Sequence, residues 1–210
     1  MGEWSFIFLS EFRLQKASNI QLNEPLNITS LKSQDQREFN KLVLQLEKQV
    51  FNLAAYLLNN KSDAEDATQE VFIIVYQSLP QFKGNSKIST WIYRIAVNKC
   101  KEIIRYKTRN KRFGILIGLN DRTSLTISSK DQTPEEKLFS DERTNELLSA
   151  IESLPETQKI AYTMYNMEDF SYKEIAEIMQ LSLSSVESLI FRAKKNLKSK
   201  LELYFKNNEL

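Results

Sequence analysis

The fold is decided by residues 171–197, SYKEIAEIMQLSLSSVESLIFRAKKNL, where the helical signals of the chain are densest. Ser171 and Glu174 have the spacing of a capping box, in which each side chain hydrogen-bonds a free amide at a helix start. Apolar residues then recur at helical spacing on either side of a break at residues 180–182: Ile175, Ala176 and Met179 before it, and Val186, Leu189, Ile190, Ala193 and Leu197 after it. This pattern predicts a short helix, a tight turn and a longer helix.

The outer face of the longer helix is polar and cationic. The residues expected to contact DNA from this face are Ser184, Ser185, Ser188, Arg192 and Lys195. A basic second helix after a tight turn is typical of a helix-turn-helix, whose second helix places its N-terminal side chains on base edges in the major groove. An ordinary helical hairpin without DNA-binding activity has the same apolar pattern, so this alternative stays open at this point.

N-terminal to this motif, the apolar pattern of residues 34–112 predicts a second helical domain. One helix begins near residue 34, a second begins at a capping box formed by residues 62–65 and stops at Pro80, and a third runs from about residue 90 to residue 111. Residues 1–33 show no sustained period and are expected to be either a poorly ordered extension or the result of a start codon assigned too early. Residues 113–140 lose the period and predict a flexible linker, which leaves 141–206 as the second domain. The predicted fold class is therefore all-α, with two small helical domains joined by a linker.

The end of the third predicted helix is basic, and its start is aromatic. Lys101, Arg105, Arg109 and Arg112 share one face, a stripe that suits a phosphate backbone because each neutralised phosphate releases counterions. Phe82, Trp91 and Tyr93 lie beside it and could stack on an unpaired base. The alternative is a solvated basic face over a core that holds the aromatic rings.

The second predicted helix begins with a group of acidic residues. Asp63, Asp66, Gln69 and Glu70 lie in its first turns, beside Phe72 and Ile73, which we expect to be exposed. Carboxylates at a helix start also stabilise the helix through its dipole. An acidic rim around an apolar spot indicates a protein partner, and both readings remain open.

Composition narrows the function classes. The 210 residues include no histidine and a single cysteine, Cys100, and the net charge is +2. Without histidine the chain lacks the commonest general base and metal ligand, so an enzyme is disfavoured and no cofactor, metal or small-molecule substrate is expected. A lone cysteine cannot form an internal disulfide and favours a reducing compartment such as a cytoplasm. No apolar run approaches the ~18 residues that span a bilayer, so no membrane insertion is expected.

Two groups of segments resemble the extracytoplasmic-function (ECF) sigma factors of the sigma-70 family. Residues 63–72 (DAEDATQEVF), 82–86 (FKGNS) and 90–98 (TWIYRIAVN) are similar to region 2 of that family, and 154–155, 171–179 and 186–197 are similar to region 4. Both regions occur in the expected order. Glu187 and Leu189 depart from the pattern, since many family members have Lys or Arg there.

The resemblance implies a role for each patch. It implies docking on the β′ clamp of RNA polymerase core through Asp63, Asp66, Gln69, Glu70 and Phe72. It implies binding of the promoter −10 element through Phe82, Lys83, Asn85, Ser86, Trp91, Tyr93, Arg94, Asn98, Lys101 and Arg105. The helix at residues 182–200 would read the −35 element, and the linker would thread through the polymerase. The β subunit of the core is implied as a partner beside the β′ clamp. An anti-sigma factor, often membrane-anchored in the family, is a further implied partner, and the cytoplasm is the implied location.

Three other functions compete with this one. A stand-alone helix-turn-helix regulator explains the C-terminal half but gives no reason for Trp91, Tyr93 and the loop at 82–89. A helical adaptor, or an anti-sigma-like partner that binds no DNA, would leave both basic faces merely solvated. An enzyme would need a catalytic group that the sequence does not display.

Overall fold

The computed structural model describes residues 25–116, 148–166, 168 and 170–208 of the chain. Helices form the regular secondary structure of these ranges, as the all-α prediction required. Most of the predicted extension and nearly all of the predicted linker lie outside the described residues. The named elements are α1 (Ile28–Lys32), α2 (Gln36–Leu58), α3 (Lys61–Ser78), a 3-10 turn (Leu79–Gln81), α4 (Ile88–Leu116), α5 (Glu156–Asn166), α6 (Tyr172–Met179) and α7 (Leu183–Asn208).

Helix α1 corrects the N-terminal boundary of the first domain. It falls within the segment expected to be poorly ordered, yet Leu31 is fully buried and the side chain of Asn27 accepts a hydrogen bond from the Ser30 amide. The helix is tied further by Gln34, whose side chain donates to the Tyr76 carbonyl at 2.9 Å. Two apolar residues, Ile28 and Leu31, in a five-residue helix give no measurable period, and this is why the sequence pattern missed it.

The core of the N-terminal module is formed by α2, α3 and α4. Helix α2 buries Phe39, Leu42, Leu53 and Leu57 along one face, in the predicted pattern. It ends at Asn59, whose left-handed backbone (φ 47°) closes the helix. Helix α4 is longer than predicted at both ends and also covers residues 113–116, which the sequence pattern assigned to the linker.

The predicted capping box of α3 is wrong. The helix begins at Lys61, and its N-cap is Asn60, whose side-chain oxygen accepts from the Asp63 amide at 2.9 Å. Asparagine caps a helix as well as serine does. With Asn60 in extended geometry the chain enters the helix two residues earlier, and Ser62 lies in its first turn.

The C-terminal module contains a helical segment at 148–152, α5, α6 and α7. The capping box of Ser171 and Glu174 is confirmed in both directions at the start of α6. Gln180 closes that helix in left-handed geometry (φ 57°), and α7 begins three residues later. Helices α6 and α7 therefore form the helix-turn-helix, and Ile175, Met179, Val186 and Ile190 lie between them in the core.

The two modules pack against each other and share one apolar core. Helix α5 contacts α2, and α6 contacts α4. Lys159 of α5 is buried, and its amine donates to the Leu57 carbonyl at the end of α2 at 2.7 Å. Burial lowers the pKa of Lys159. The structure therefore shows two modules in contact, a relationship that the sequence pattern did not reveal.

Candidate nucleic-acid interface

The outer face of α7 projects away from the core. Ser184, Ser188, Arg192 and Lys195 are exposed, and Ser185 is half-buried beside the turn. The hydroxyl of Ser182 accepts from the Ser185 amide at 3.2 Å and so caps the start of this helix. Since the first turn is held by its own capping group, the side chains after it are free to face a ligand.

The cations on this face differ in the interactions that their side chains already make within the protein. The Arg192 Nε donates to the Ser188 carbonyl at 3.1 Å, and the residue is exposed. Lys194 lies over the Tyr165 ring, and Lys198 pairs with Glu202 one turn later. Within the described part of the chain, Lys195 has no ion pair. Arg192 and Lys195 are therefore the cations best placed to meet a phosphate or a base.

Sequence reasoning missed two apolar side chains near the same face. Phe191 is 70% exposed and Leu183 is 49% exposed, with Glu187 between them at the spacing of one helical turn. Large exposed apolar groups on a helix that enters the major groove can contact the methyl group of thymine. The signal was present in the sequence, because both residues fall outside the inward stripe that contains Val186, Ile190 and Ala193.

The sequence analysis expected the aromatic rings of the N-terminal module to be open for stacking. In the structure they are buried or half-buried. Phe82 is buried and packs on half-buried Trp91, with ring centroids 5.1 Å apart. Tyr93 is 4% exposed, packs edge-on against Phe170 of the C-terminal module and donates its hydroxyl to Gln49 at 2.8 Å. Burial raises the pKa of this phenol. The expectation that all three rings are available for stacking is therefore wrong in this packed arrangement: Phe170 covers Tyr93, and Phe82 is buried against its near neighbour Trp91.

The loop before α4 keeps its polar residues accessible. Lys83 and Asn85 are exposed and Ser86 is half-buried. Gly84 between them has a φ of +74°, a left-handed conformation that a residue with a side chain rarely adopts. The loop therefore turns sharply at Gly84 and presents its polar groups beside Phe82.

The basic face of α4 lines a shallow groove of about 650 Å³. Asn98, Lys101, Arg105, Tyr106 and Arg109 line it, and the Arg109 guanidinium lies 5.8 Å from the Tyr106 ring. Tyr106 is 57% exposed and was not predicted as a contact residue. An exposed ring between cations suits a nucleic acid, since it can stack while its neighbours bind phosphates.

Arg94 and Arg105 are engaged by the C-terminal module. A terminal nitrogen of Arg94 donates to the Glu177 carbonyl at 2.8 Å, while its Nε is buried without a hydrogen-bond partner in the described structure. Arg105 pairs with Glu156 at 3.2 Å. Two side chains expected on DNA thus contact the other half of the same chain.

The acidic patch on α3 is partly as predicted. Asp66, Gln69 and Glu70 are exposed, and Ile73 beside them is 37% exposed. Phe72 is 7% exposed and belongs to the core, so its expected exposure is wrong, because it lies on the inward face of α3 with buried Thr68 and Val75. Asp63 pairs with Lys107 and Glu70 with Lys99, and the hydrogen bond that Lys99 donates to Glu70 raises the pKa of Lys99.

Two other kinds of feature are missing from the ranges that the structure covers. No helix there is long and apolar enough to cross a bilayer. No group of cysteine, aspartate and glutamate residues there has the geometry of a metal site.

Comparison with known proteins identifies what the two modules resemble. Residues 42–110 match the family model of sigma-70 region 2, and residues 144–197 match that of sigma-70 region 4. The ECF RNA polymerase sigma-E factor of Haemophilus influenzae is 33% identical over 87% of this chain and 97% of its own length. The protein of the same name from Escherichia coli K12 is 32% identical over 87% of this chain and 96% of its own length.

Solved structures show the same fold at lower identity. CnrH, in complex with the cytosolic domain of CnrY, aligns with a TM-score of 0.63 at 19% identity and covers 84% of this chain and 95% of its own. The sigma factor RpoE of Bartonella quintana, in complex with the anti-sigma factor NepR, aligns with a TM-score of 0.57 at 19% identity. The alignment covers 79% of this chain and 98% of the RpoE chain.

Proposed function

We propose, from the premise that this chain belongs to the ECF RNA polymerase sigma factors of the sigma-70 family, that its two modules read separate promoter elements. As a sigma factor the chain directs promoter recognition, DNA melting and the start of transcription. Its family consists of non-catalytic initiation factors. A stand-alone helix-turn-helix regulator is not favoured, because the family match extends over residues 42–110 as well as over the helix-turn-helix.

Helix α7 is assigned to the −35 element. The observation that carries this assignment is the polar, cationic face of α7, which includes Arg192 and Lys195 and is exposed along its N-terminal turns. Its opposite side is anchored by Val186, Ile190 and Ala193 in the core, so the face is held rigidly. A rigid recognition helix can place side chains on base edges with little loss of conformational entropy.

The Gly84 loop and the α4 face are assigned to the −10 element. Ser184, Ser185 and Ser188 read duplex DNA, whereas the α4 face with Trp91, Lys101 and Arg105 holds the separated strand. Unstacking a base costs a few kcal/mol per step, and a protein that holds the unpaired base offsets that cost. The groove beside Tyr106 extends this surface along the DNA backbone.

The acidic patch of α3 is assigned to the polymerase clamp. Asp66, Gln69 and Glu70 remain exposed around Ile73, which gives the charged rim and apolar centre of a protein interface. Phe72 supports this surface from beneath. An anti-sigma factor is proposed as a second protein partner, since the Bartonella relative is described in complex with one, and the cytoplasm is proposed as the location.

Run-off transcription tests the function. Core polymerase from the source organism is mixed with the purified chain and a library of its promoters, and we expect promoter-specific transcripts that require the chain. The control is an Arg192→Ala, Lys195→Ala variant, which should bind core polymerase normally but lose initiation at promoters that depend on the −35 element. Absence of any chain-dependent transcript with the cognate core would contradict the proposal.

A further inference from the structure

We propose that Gln34 is a positioning residue for the −10 element. Through a hydrogen bond to the Tyr76 carbonyl it fixes the start of the Gly84 loop, residues 82–87, without touching DNA itself. The inference rests on the proposed function for the role of this loop. It deepens that function by naming a residue that precedes residues 42–110, the range that matches the region 2 family model.

The backbone of Gln34 has a conformation that favours glycine. Helix α1 ends in a Schellman motif, in which the Gln34 amide donates to the Leu31 carbonyl at 2.9 Å and the Asp35 amide donates to the Ser30 carbonyl at 3.0 Å. This motif places Gln34 in left-handed geometry, with a φ of 60°. Since a Cβ is crowded there, the backbone gives no reason for a glutamine, and the contribution of this residue comes from its side chain.

The Gln34 side chain reaches the last turn of α3. Its Nε2 donates to the Tyr76 carbonyl at 2.9 Å, across 42 positions of sequence. In a continuing α-helix the amide of residue 80 would donate to this carbonyl. Residue 80 is a proline, which has no amide hydrogen. Gln34 therefore supplies a donor at the point where Pro80 interrupts the helical hydrogen bonds.

The end of α3 leads directly into the Gly84 loop. The 3-10 turn after α3 begins at Leu79, and the Phe82 amide donates to the Leu79 carbonyl at 3.1 Å. Leu79 and Leu31 are both fully buried in the same core cluster, and α1 contacts the turn. Helix α1 thus holds the turn by a hydrogen bond and by apolar packing, and the turn sets the direction in which the chain enters the loop.

Helix α1 is anchored well enough to act as a support. At its start the Asn27 amide donates to the Glu38 carboxylate at 2.7 Å, and after its end Asp35 accepts from the Glu38 amide at 2.9 Å. Helix α2, which contains Glu38, also contacts the end of α3, since Phe39 packs edge-on against Tyr76 with ring centroids 4.9 Å apart. The base of the loop is therefore joined to an element that is held at both of its ends.

The loop is short, so its start determines where its polar groups lie. Phe82 packs on Trp91, and Gly84 turns sharply two residues later. The exposed side chains of Lys83 and Asn85 flank this turn. A shift at the 3-10 turn moves them relative to α4, and the apparent affinity for an unpaired base falls with the fraction of molecules in which the loop is correctly placed.

Two substitutions separate the hydrogen bond from the strained backbone. Gln34→Gly removes the donor and relieves the left-handed conformation, so its melting temperature should stay within about 2 °C of the wild type. Gln34→Glu keeps the side-chain shape but has no donor when ionised, and it should melt at a lower temperature. Ser33→Ala is the matched control, because the Ser33 hydroxyl donates to the Ser30 carbonyl at 2.9 Å within α1.

Hydrogen exchange of the whole chain measures the position of the loop without DNA. In both Gln34 variants, amides in peptides that cover residues 79–87 should exchange about fivefold faster, the order expected from the loss of one neutral hydrogen bond. Ser33→Ala should match the wild type in these peptides. Peptides from α7 should be unchanged in all three variants.

Permanganate oxidation of unpaired thymines measures promoter opening. Holoenzyme formed with each variant is mixed, at a half-saturating concentration, with the promoter that gives the strongest run-off transcript. Opening should fall about fivefold in both Gln34 variants and stay unchanged in Ser33→Ala. Binding to core polymerase and to a −35 duplex should be unchanged, because neither surface includes Gln34. A purely structural role predicts instead that Gln34→Gly, which relieves strain, opens the promoter normally.

The outcomes separate this inference from the proposed function. Faster loop exchange and weaker opening in both Gln34 variants support the positioning role. Wild-type exchange of the loop in Gln34→Gly overturns it, and so does normal opening by that variant, because the loss would then follow stability and not the hydrogen bond. If the unmodified holoenzyme opens no promoter, the proposed function fails, whereas exchange still decides whether Gln34 holds the loop.

Discussion

Replacing Arg192 and Lys195 together by alanine should weaken binding to a −35 duplex and reduce its dependence on salt. Both side chains are exposed on the outer face of α7, and their terminal nitrogens are not held by carboxylates in the described contacts. Each neutralised phosphate contributes about −0.9 to the slope of log affinity against log salt. Two lost contacts change the slope by about 1.8, so between 50 and 200 mM salt the wild type should lose about twelvefold more affinity than the variant.

Fluorescence anisotropy of a labelled −35 duplex, titrated at four salt concentrations, measures this slope. Lys200→Ala is the matched control, because Lys200 is exposed on the same helix but follows buried Ala193 by seven residues and so lies along the inward stripe. Its slope should equal that of the wild type. An unchanged slope in the double variant, or a loss of core polymerase affinity, would refute the assignment of this face.

Three further predictions concern single residues. Glu187→Arg should strengthen −35 binding and steepen the slope by about one phosphate contact, measured in the same titration, since a cation replaces an exposed carboxylate. Ser171→Ala removes the capping box of α6 and should lower the free energy of unfolding by about 1 kcal/mol in urea, whereas Ser171→Asp should keep most of it. Burial raises the pKa of Cys100 from 9.0 to about 12, so the unfolded chain loses this proton first as pH rises. The free energy of unfolding is therefore unaffected by this thiol well below pH 9 and falls at higher pH, by about 1.4 kcal/mol at pH 10. In urea unfolding, Cys100→Ala should lack this part of the decline.

The helix-turn-helix illustrates what local sequence can predict. Its capping box, turn and inward residues all act within a few positions of one another. The Ser171 hydroxyl meets the Glu174 amide three residues later, and Val186, Ile190 and Ala193 share one face because of the helical repeat. Interactions of such short range can be predicted directly from the residue order.

Helix starts are less certain when two capping groups are adjacent. Asn60 and Ser62 both carry side chains that cap helices, and the sequence pattern favoured Ser62. The structure uses Asn60, because the Asp63 amide lies within its reach at 2.9 Å. The difference between such neighbours is set by how α2 ends at Asn59, which positions the chain for α3.

The residue order by itself determined the all-α class, the helix-turn-helix and the positions of the acidic, aromatic and basic patches, because periodicity and charge are properties of nearby residues. Only the tertiary structure decided which patches are accessible. Tyr93 is covered by Phe170, and Arg105 is paired with Glu156, partners 77 and 51 positions away along the chain. Burial depends on what packs against a face, and no local pattern specifies a partner from a distant segment.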